Sequence, residues 1–301
     1  MRLAPLSLLV LLASLALGVR ASEVLVVSSE LSPAYQEAAD AVVAELGRRE
    51  VLQLPLAELT AYRGPAPRLY MALGTEACSQ LARAPLSTPV LCTLLPRASF
   101  ERVLRETGRR TGAALSALYL NQPPGRQLDL IRLALPQARR IGVLWGPDSV
   151  ANEGALEAAA QVRGLRVVGV PVRPEEPVFA GLKKILEESD VLLALADPQI
   201  YNSNSIQNIL LTSFRAQVPM LAFSPAYVRA GALMAVHSTP RQIGQQAGVL
   251  ARGVLQGQAL GQPQFPLQFD VSVNEHVARS LGLRLDAASL TERLRRLERG
   301  S

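Results

Sequence analysis

Histidine and cysteine are almost missing from this chain: His237, His276, Cys78 and Cys92 are all that 301 residues supply. With so few of them no His/Cys metal cluster is expected, and neither a metal nor a cofactor. Aromatic residues are scarce as well, at 4%, and the only lysines are Lys183 and Lys184. The formal charge of +6 therefore comes from arginines spread along the whole sequence. With neither a basic stripe nor a stacking platform, nucleic acid is not an expected partner.

Catalytic signatures are missing too. The chain has no G-x-G-x-x-G after its first strand, no phosphate-binding G-x-x-x-x-G-K-[ST], no G-x-S-x-G elbow and no H-E-x-x-H. A Ser/His/Asp set would have to use His237 or His276. His276 lies in NEHVARSLGL, which reads as an exposed helix start, and His237 reads as a polar strand end or a ligand contact. Asp197, followed by Pro198, is a better turn initiator than general base. No enzyme and no catalytic residues are expected.

Long apolar runs occur only at the start. MRLAPLSLLVLLASLALGVRA has a charged beginning, an apolar core and small residues at Val19 and Ala21, the pattern of an export signal, and cleavage is expected near Ala21. Its roughly 15 apolar residues fall short of the ~20 that cross a bilayer. The expectation is a signal peptide over residues 1–21 and a soluble, monomeric protein in the periplasm. Export opens the way to a Cys78–Cys92 disulfide. Cys78 falls early in a helix and Cys92 in the strand PVLCTLL. Two separate buried thiols are the other reading, and both stay open here.

What remains is apolar and regular. Hydrophobic residues make up 49% and charged residues 19%, which suits a folded chain of about two domains at this length. EVLVVS is a β-branched run of the kind found in strands covered on both faces. It leads into AYQEAADAVVAEL, where Ala38, Val42, Val43 and Leu46 recur at helical spacing until Gly47. RLYMAL with EACSQLARA, RRIGVLWG, Leu165 to Val170, Val191 to Ala196 and Pro219 to Phe223 repeat the strand and helix alternation. That alternation specifies an α/β fold with parallel sheets. The extended stretch TGAALSALYLNQPPG breaks the series, and a later helix, RQIGQQAGVLARGVLQG, fits best packed back on the first units. The expected division is a first lobe of 22–119 plus about 237–262 and a second of 120–236 plus about 263–301. A cleft between the carboxyl ends of their strands would bind a ligand.

Five blocks then carry a resemblance: ALGTEA (72–77), LPQARRIGVLWGPDSVAN (135–152), ADPQIYNSNSIQNILL (196–211), VPMLAFSPAYVRAGALMAV (218–236) and IGQQAGVLARGVLQGQ (243–258). In this order they resemble the periplasmic substrate-binding proteins of ABC transporters, the family that includes tryptophan- and tyrosine-binding members. The resemblance implies the type I periplasmic fold, two doubly wound lobes joined by about three crossovers. It also implies capture of a small molecule and delivery to an inner-membrane permease, without catalysis. A periplasmic ligand sensor acting on a membrane receptor is the alternative.

Within those blocks, strand ends and helix starts offer backbone N–H groups and short side chains to a ligand. The candidates from the first lobe are Ser28 and Ser29, Tyr35, Gly74 for close backbone approach, and Thr75 as helix cap and donor. From the second lobe come Asp197 to hold an ammonium, Tyr201 and Phe223 to stack on a planar ring, Ser224, and His237 at the crossover. The short segment GRREVLQLPLAELTAYRGPAP replaces a fuller strand and helix unit and implies a trimmed wall. Ligand identity stays open, with an amino acid or another planar solute favoured.

Overall fold

A computed structural model describes residues 23–173 and 175–300; the signal-peptide expectation lies outside them. Two sheets organise the chain. The first has five parallel strands, β1 (Val24–Ser28), β2 (Val51–Pro55), β3 (Leu69–Leu73), β4 (Val90–Leu95) and β5 (Leu115–Tyr119), in the order β2-β1-β3-β4-β5. Helices α1 (Pro33–Leu46), α2 (Thr75–Arg83) and α3 (Arg97–Thr107) connect them. The segment read as a trimmed wall is a short unit, β2 followed by a 3-10 helix over Leu56–Ala61. The extended stretch read as leaving the first lobe supplies β5, the edge strand.

The second sheet holds β6 (Arg140–Trp145), β7 (Arg166–Pro171), β8 (Val191–Leu193), β9 (Met220–Ala222), β10 (Met234–His237) and β11 (Asp270–Val273), in the order β11-β10-β9-β8-β6-β7. All of its pairings are parallel except β10 with β11. Its helices are α4 (Pro124–Ala134), α5 (Glu153–Gln161), α6 (Val178–Glu188), α7 (Ile206–Arg215), α8 (Pro225–Ala230), α10 (Glu275–Ser280) and α11 (Ala287–Arg299). The fold is thus α/β with two mainly parallel sheets.

Continuous apolar strands follow from burial on both faces. Leu69, Met71 and Leu73 of β3 pack with Ala38 and Val42, while Tyr70 and Ala72 face Cys78, Leu81 and Phe100. The long helix α9 (Pro240–Leu255) begins in a capping box between Thr239 and Gln242, with Pro240 in its first turn. It lies on α1, so close that a Cβ on Gly244 would fall 2.8 Å from that of Ala41 and against the Ala38 carbonyl. α9 is therefore part of the first sheet's helical cover.

Three chain segments cross between the sheets: after β5, before α9, and between α9 and β11. The last still runs along the first sheet at Gln264, which bridges Leu118, before reaching β11. Arg126 ties these crossings together. Its guanidinium donates to Gln122 Oε1 at 2.7 Å, to the Pro266 carbonyl at 2.8 Å and to both oxygens of Glu298 at 2.6 and 2.9 Å. It also lies 4.1 Å from the ring centre of Phe269. Gln122 Nε2 in turn donates to Ser238 Oγ at 3.0 Å, and that hydroxyl donates to the Gln268 carbonyl. Such a charge is stable in a buried place because every direction it points has an acceptor.

Cys78 of α2 and Cys92 of β4 form a disulfide, with Cα atoms 5.4 Å apart. The alternative of two separate thiols is set aside.

Candidate functional site

A cavity of about 250 Å³ opens between the two sheets. Its walls follow directly on the carboxyl ends of strands. From the first sheet come Pro96 and Arg97 after β4, then Leu120, Asn121 and Gln122 after β5. From the second come Asp148, Ser149 and Asn152 after β6, Leu195 and Ala196 after β8, Phe223 and Ser224 after β9, and His237 and Ser238 at the end of β10. Gln127 of α4 and Phe265 of the third crossing complete it. Carboxyl ends meet there because both sheets are wound from strand to helix in the same sense, which leaves the crevice where ligands bind open α/β sheets.

Phe223, Ser224 and His237, three of the sequence candidates, stand in this wall. Phe223 sits 6.1 Å from Tyr201 and 4.7 Å from Tyr227 between ring centres. Tyr201 is buried behind it and does not reach the cavity wall; its hydroxyl finds no partner among the described residues. Burial first, then the nearby Asp197 and Tyr227, keep that phenol protonated. His237 Nε2 lies 2.9 Å from Ser272 Oγ. Burial lowers the His237 pKa, against a smaller opposing pull from Asp270, so the imidazole is neutral at pH 7.

Asp197 lies just behind the wall and is engaged on both oxygens. Oδ2 accepts from the backbone N–H groups of Asp148 and Ser149 at 3.1 and 3.0 Å and from Ser149 Oγ at 2.9 Å; Oδ1 accepts from the Gln199 N–H at 3.1 Å. The carboxylate holds the loop after β6 against the end of β8. It therefore shapes the cavity from behind.

The first-lobe candidates gather elsewhere, at the ends of β1 and β3. Ser28 and Tyr35 line a separate surface depression with Glu30, Leu31 and Gln36. Ser29 Oγ accepts from the Ala77 N–H at 2.9 Å and donates to the Leu73 carbonyl at 2.8 Å, so it serves the free first turn of α2. Gly74 has φ +91, and a Cβ there would fall 2.7 Å from Ser29 Oγ and strike the Tyr35 hydroxyl. Here glycine is required on both counts. Thr75 is not the cap expected of it: Gly74 occupies the N-cap position, Thr75 is the first helical residue, and Ser29 takes over the hydroxyl's role from another strand.

Several wall residues were not singled out in the sequence: Arg97, Asn121, Gln122, Gln127, Asp148, Ser149, Asn152, Ser238 and Phe265. The signal that could have found some of them is Asn121-Gln122 immediately before Pro123-Pro124, where a strand ends in a rigid polar turn. The two charged wall residues are both paired. Arg97 Nε donates to Glu101 at 2.6 Å, and Arg102 Nη1 reaches both oxygens of Asp148 at 3.2 Å, linking α3 to the loop after β6. Among the described residues no group of His, Cys, Asp and Glu could hold a metal ion, and no helix is long and apolar enough to cross a membrane.

The model of the ABC transporter substrate binding protein family matches residues 56–293. The tyrosine-binding protein of Clostridioides difficile (strain R20291) is 22% identical over 223 residues, covering 71% of this chain and 63% of that protein's length. A ligand-free, open substrate-binding protein with adhesive properties from Clostridium difficile has a TM-score of 0.67 at 18% identity, over 88% of this chain and 96% of its own. An ABC domain from Streptococcus pneumonia in complex with L-Trp gives 0.61 at 16% identity, over 89% and 98%. A conserved domain protein from Vibrio cholerae gives 0.61 at 20% identity, over 90% and 98%. These likenesses establish the shared fold, and the family match covers most of the chain. The chain belongs to the ABC transporter substrate-binding protein family.

Proposed function

We propose that this chain captures a small solute with a planar ring in the cavity between its sheets and delivers it to an inner-membrane permease. The observation that carries this reading is the cavity itself: about 250 Å³, largely apolar, with a few convergent polar groups and strand ends from both sheets in its wall. A phenylalanine from each side, Phe223 and Phe265, supports a planar solute. Relatives named for tyrosine binding or solved with L-Trp support the same size and shape. In this reading the two sheets with their helices are lobes that close on the solute, and Phe223, Ser224 and His237 contact it. Ser28, Ser29, Tyr35, Gly74 and Thr75 would approach from the rim as the lobes close, while Asp197 and Tyr201 support the wall from behind. Export through the N-terminal segment, with cleavage near Ala21, belongs to the same proposal, and the Cys78–Cys92 disulfide supports an oxidising compartment.

A thermal-shift screen of amino acids, nucleobases and sugars tests it. A bound solute at ~100 times its Kd should stabilise the protein by about 2.7 kcal/mol. The reading fails if no solute in the screen moves the melting temperature.

A further inference from the structure

The polar groups open to the cavity are almost all uncharged. Gln127 is the most telling. It is only 5% exposed, it lines the cavity, and its carboxamide, open to the cavity, makes no hydrogen bond to any described residue. A ligand that displaces water from such an amide must replace the lost hydrogen bonds or leave the amide unsatisfied. Asn152 and Ser224 also present side chains without protein partners, and Asn121 has a free Nδ2 because only its Oδ1 is used, by the Arg97 N–H at 2.6 Å. The carboxylates beside the cavity are already matched. Asp148 is paired with Arg102, Arg97 gives its Nε to Glu101 and keeps its two Nη groups free, Asp197 has its four protein donors, and His237 is neutral.

A zwitterion buried here would need an unpaired carboxylate for its ammonium, and an unpaired charge in an apolar site is costly. The one carboxylate in the wall, Asp148, is available to an ammonium only by breaking its pair with Arg102. A carboxamide, by contrast, carries a donor and an acceptor side by side and matches any edge with an adjacent C=O and N–H. The volume limits such a ligand to one or two rings, since drug-sized ligands take roughly 300–1,000 Å³.

We propose that the cavity selects an uncharged planar heterocycle bearing adjacent N–H and C=O groups, of the nucleobase or lactam class, over a zwitterionic amino acid. Gln127 reads that edge, and the rings of Phe223 and Phe265, one from each side of the cleft, lie against the heterocycle. This specificity rests on the solute-capture reading above and adds to it the chemistry of the solute. A site built to pair a substrate's N–H and C=O also rejects analogues in which they are blocked.

The test is calorimetric titration of the full chain with uracil, hypoxanthine, L-tyrosine and L-tryptophan. Uracil or hypoxanthine should bind at least tenfold more tightly than either amino acid. On the unaltered protein, 1,3-dimethyluracil, which has no N–H to donate, should bind at least tenfold more weakly than uracil. Gln127→Leu, of similar volume, should lose tenfold or more for the base while its melting temperature stays near that of the parent; Gln127→Glu should lose as much. Tighter binding of an amino acid would overturn the proposed specificity and leave solute capture standing. Equal binding of uracil and its dimethyl analogue, or of the parent and Gln127→Leu, would remove Gln127 from the recognition. Failure of all four solutes to bind would overturn the specificity and count against capture of a planar solute itself.

Discussion

Asp197 and His237 are polar residues beside the cavity that the sequence marks equally well, yet burial and partners divide their roles. Asp197 is saturated by the loop after β6, and an acid with three donors on one oxygen is part of the scaffold. His237 faces the cavity, and burial holds its pKa below the ordinary value. The unfolded chain takes up a proton near pH 6.5 that the folded chain resists, so the unfolded state binds more protons between the two pKa values. Stability should therefore be fully present above about pH 7 and decline as pH falls through 6.5 toward the depressed folded value. Melting temperatures of the parent and of His237→Gln across pH 5 to 8 check this: the slope should shrink in the variant. An equal slope in both would exclude His237 as its source. None of this is legible in a string of letters, because His237-Ser238 and Asp197-Pro198 look alike as strand-end polar pairs, and only tertiary partners separate them.

At the scale of elements, legibility tracks burial. β3 and β4 are buried at every position, and LYMAL and VLCTLL announce them as apolar runs. β11 escapes because DVSV is a short antiparallel edge that is only half apolar. α3 escapes as well: RASFERVLRET buries only Ser99, Phe100 and Val103, so its polar residues outweigh its core face. The strand-end rule marks several candidate positions but does not say which ends face the cleft. β4 and β5 build the first sheet's wall, whereas the first-sheet candidates lay at the ends of β1 and β3. Elements also carry the crosslink, since the disulfide joins α2 to β4 across a sequence separation of 14. Closing a loop of that size is worth about 3 kcal/mol by restricting the unfolded chain. A Cys78→Ala, Cys92→Ala double variant should lose roughly 2–4 kcal/mol in urea unfolding. A loss near zero would show that the bond adds nothing to the fold.

For the whole molecule, the decisive arrangement is two sheets tied at one edge and open at their carboxyl ends. Arg126 gathers the crossings, reaching Gln122, Pro266 and Glu298, with Gln122 leading on to Ser238. The Arg102–Asp148 pair is a further link between the two parts, from α3 to the loop after β6. The strand and helix alternation makes two such layers legible from sequence. The cavity's chemistry is not, because it depends on which side chains the crossings bring face to face: Phe265 and Gln127 lie 138 residues apart in the chain and share one wall. Ala196 stands in that wall with little beside its methyl group, which makes it the place to close the site without touching a polar group. The most direct test is a titration of the parent protein and Ala196→Trp, followed by melting temperature, with whichever solute shifts the parent most. The account predicts that the indole fills the cavity and abolishes the ligand-dependent shift while the unliganded protein melts near the parent's temperature. A shift of the same size in Ala196→Trp would place the binding site elsewhere in the molecule.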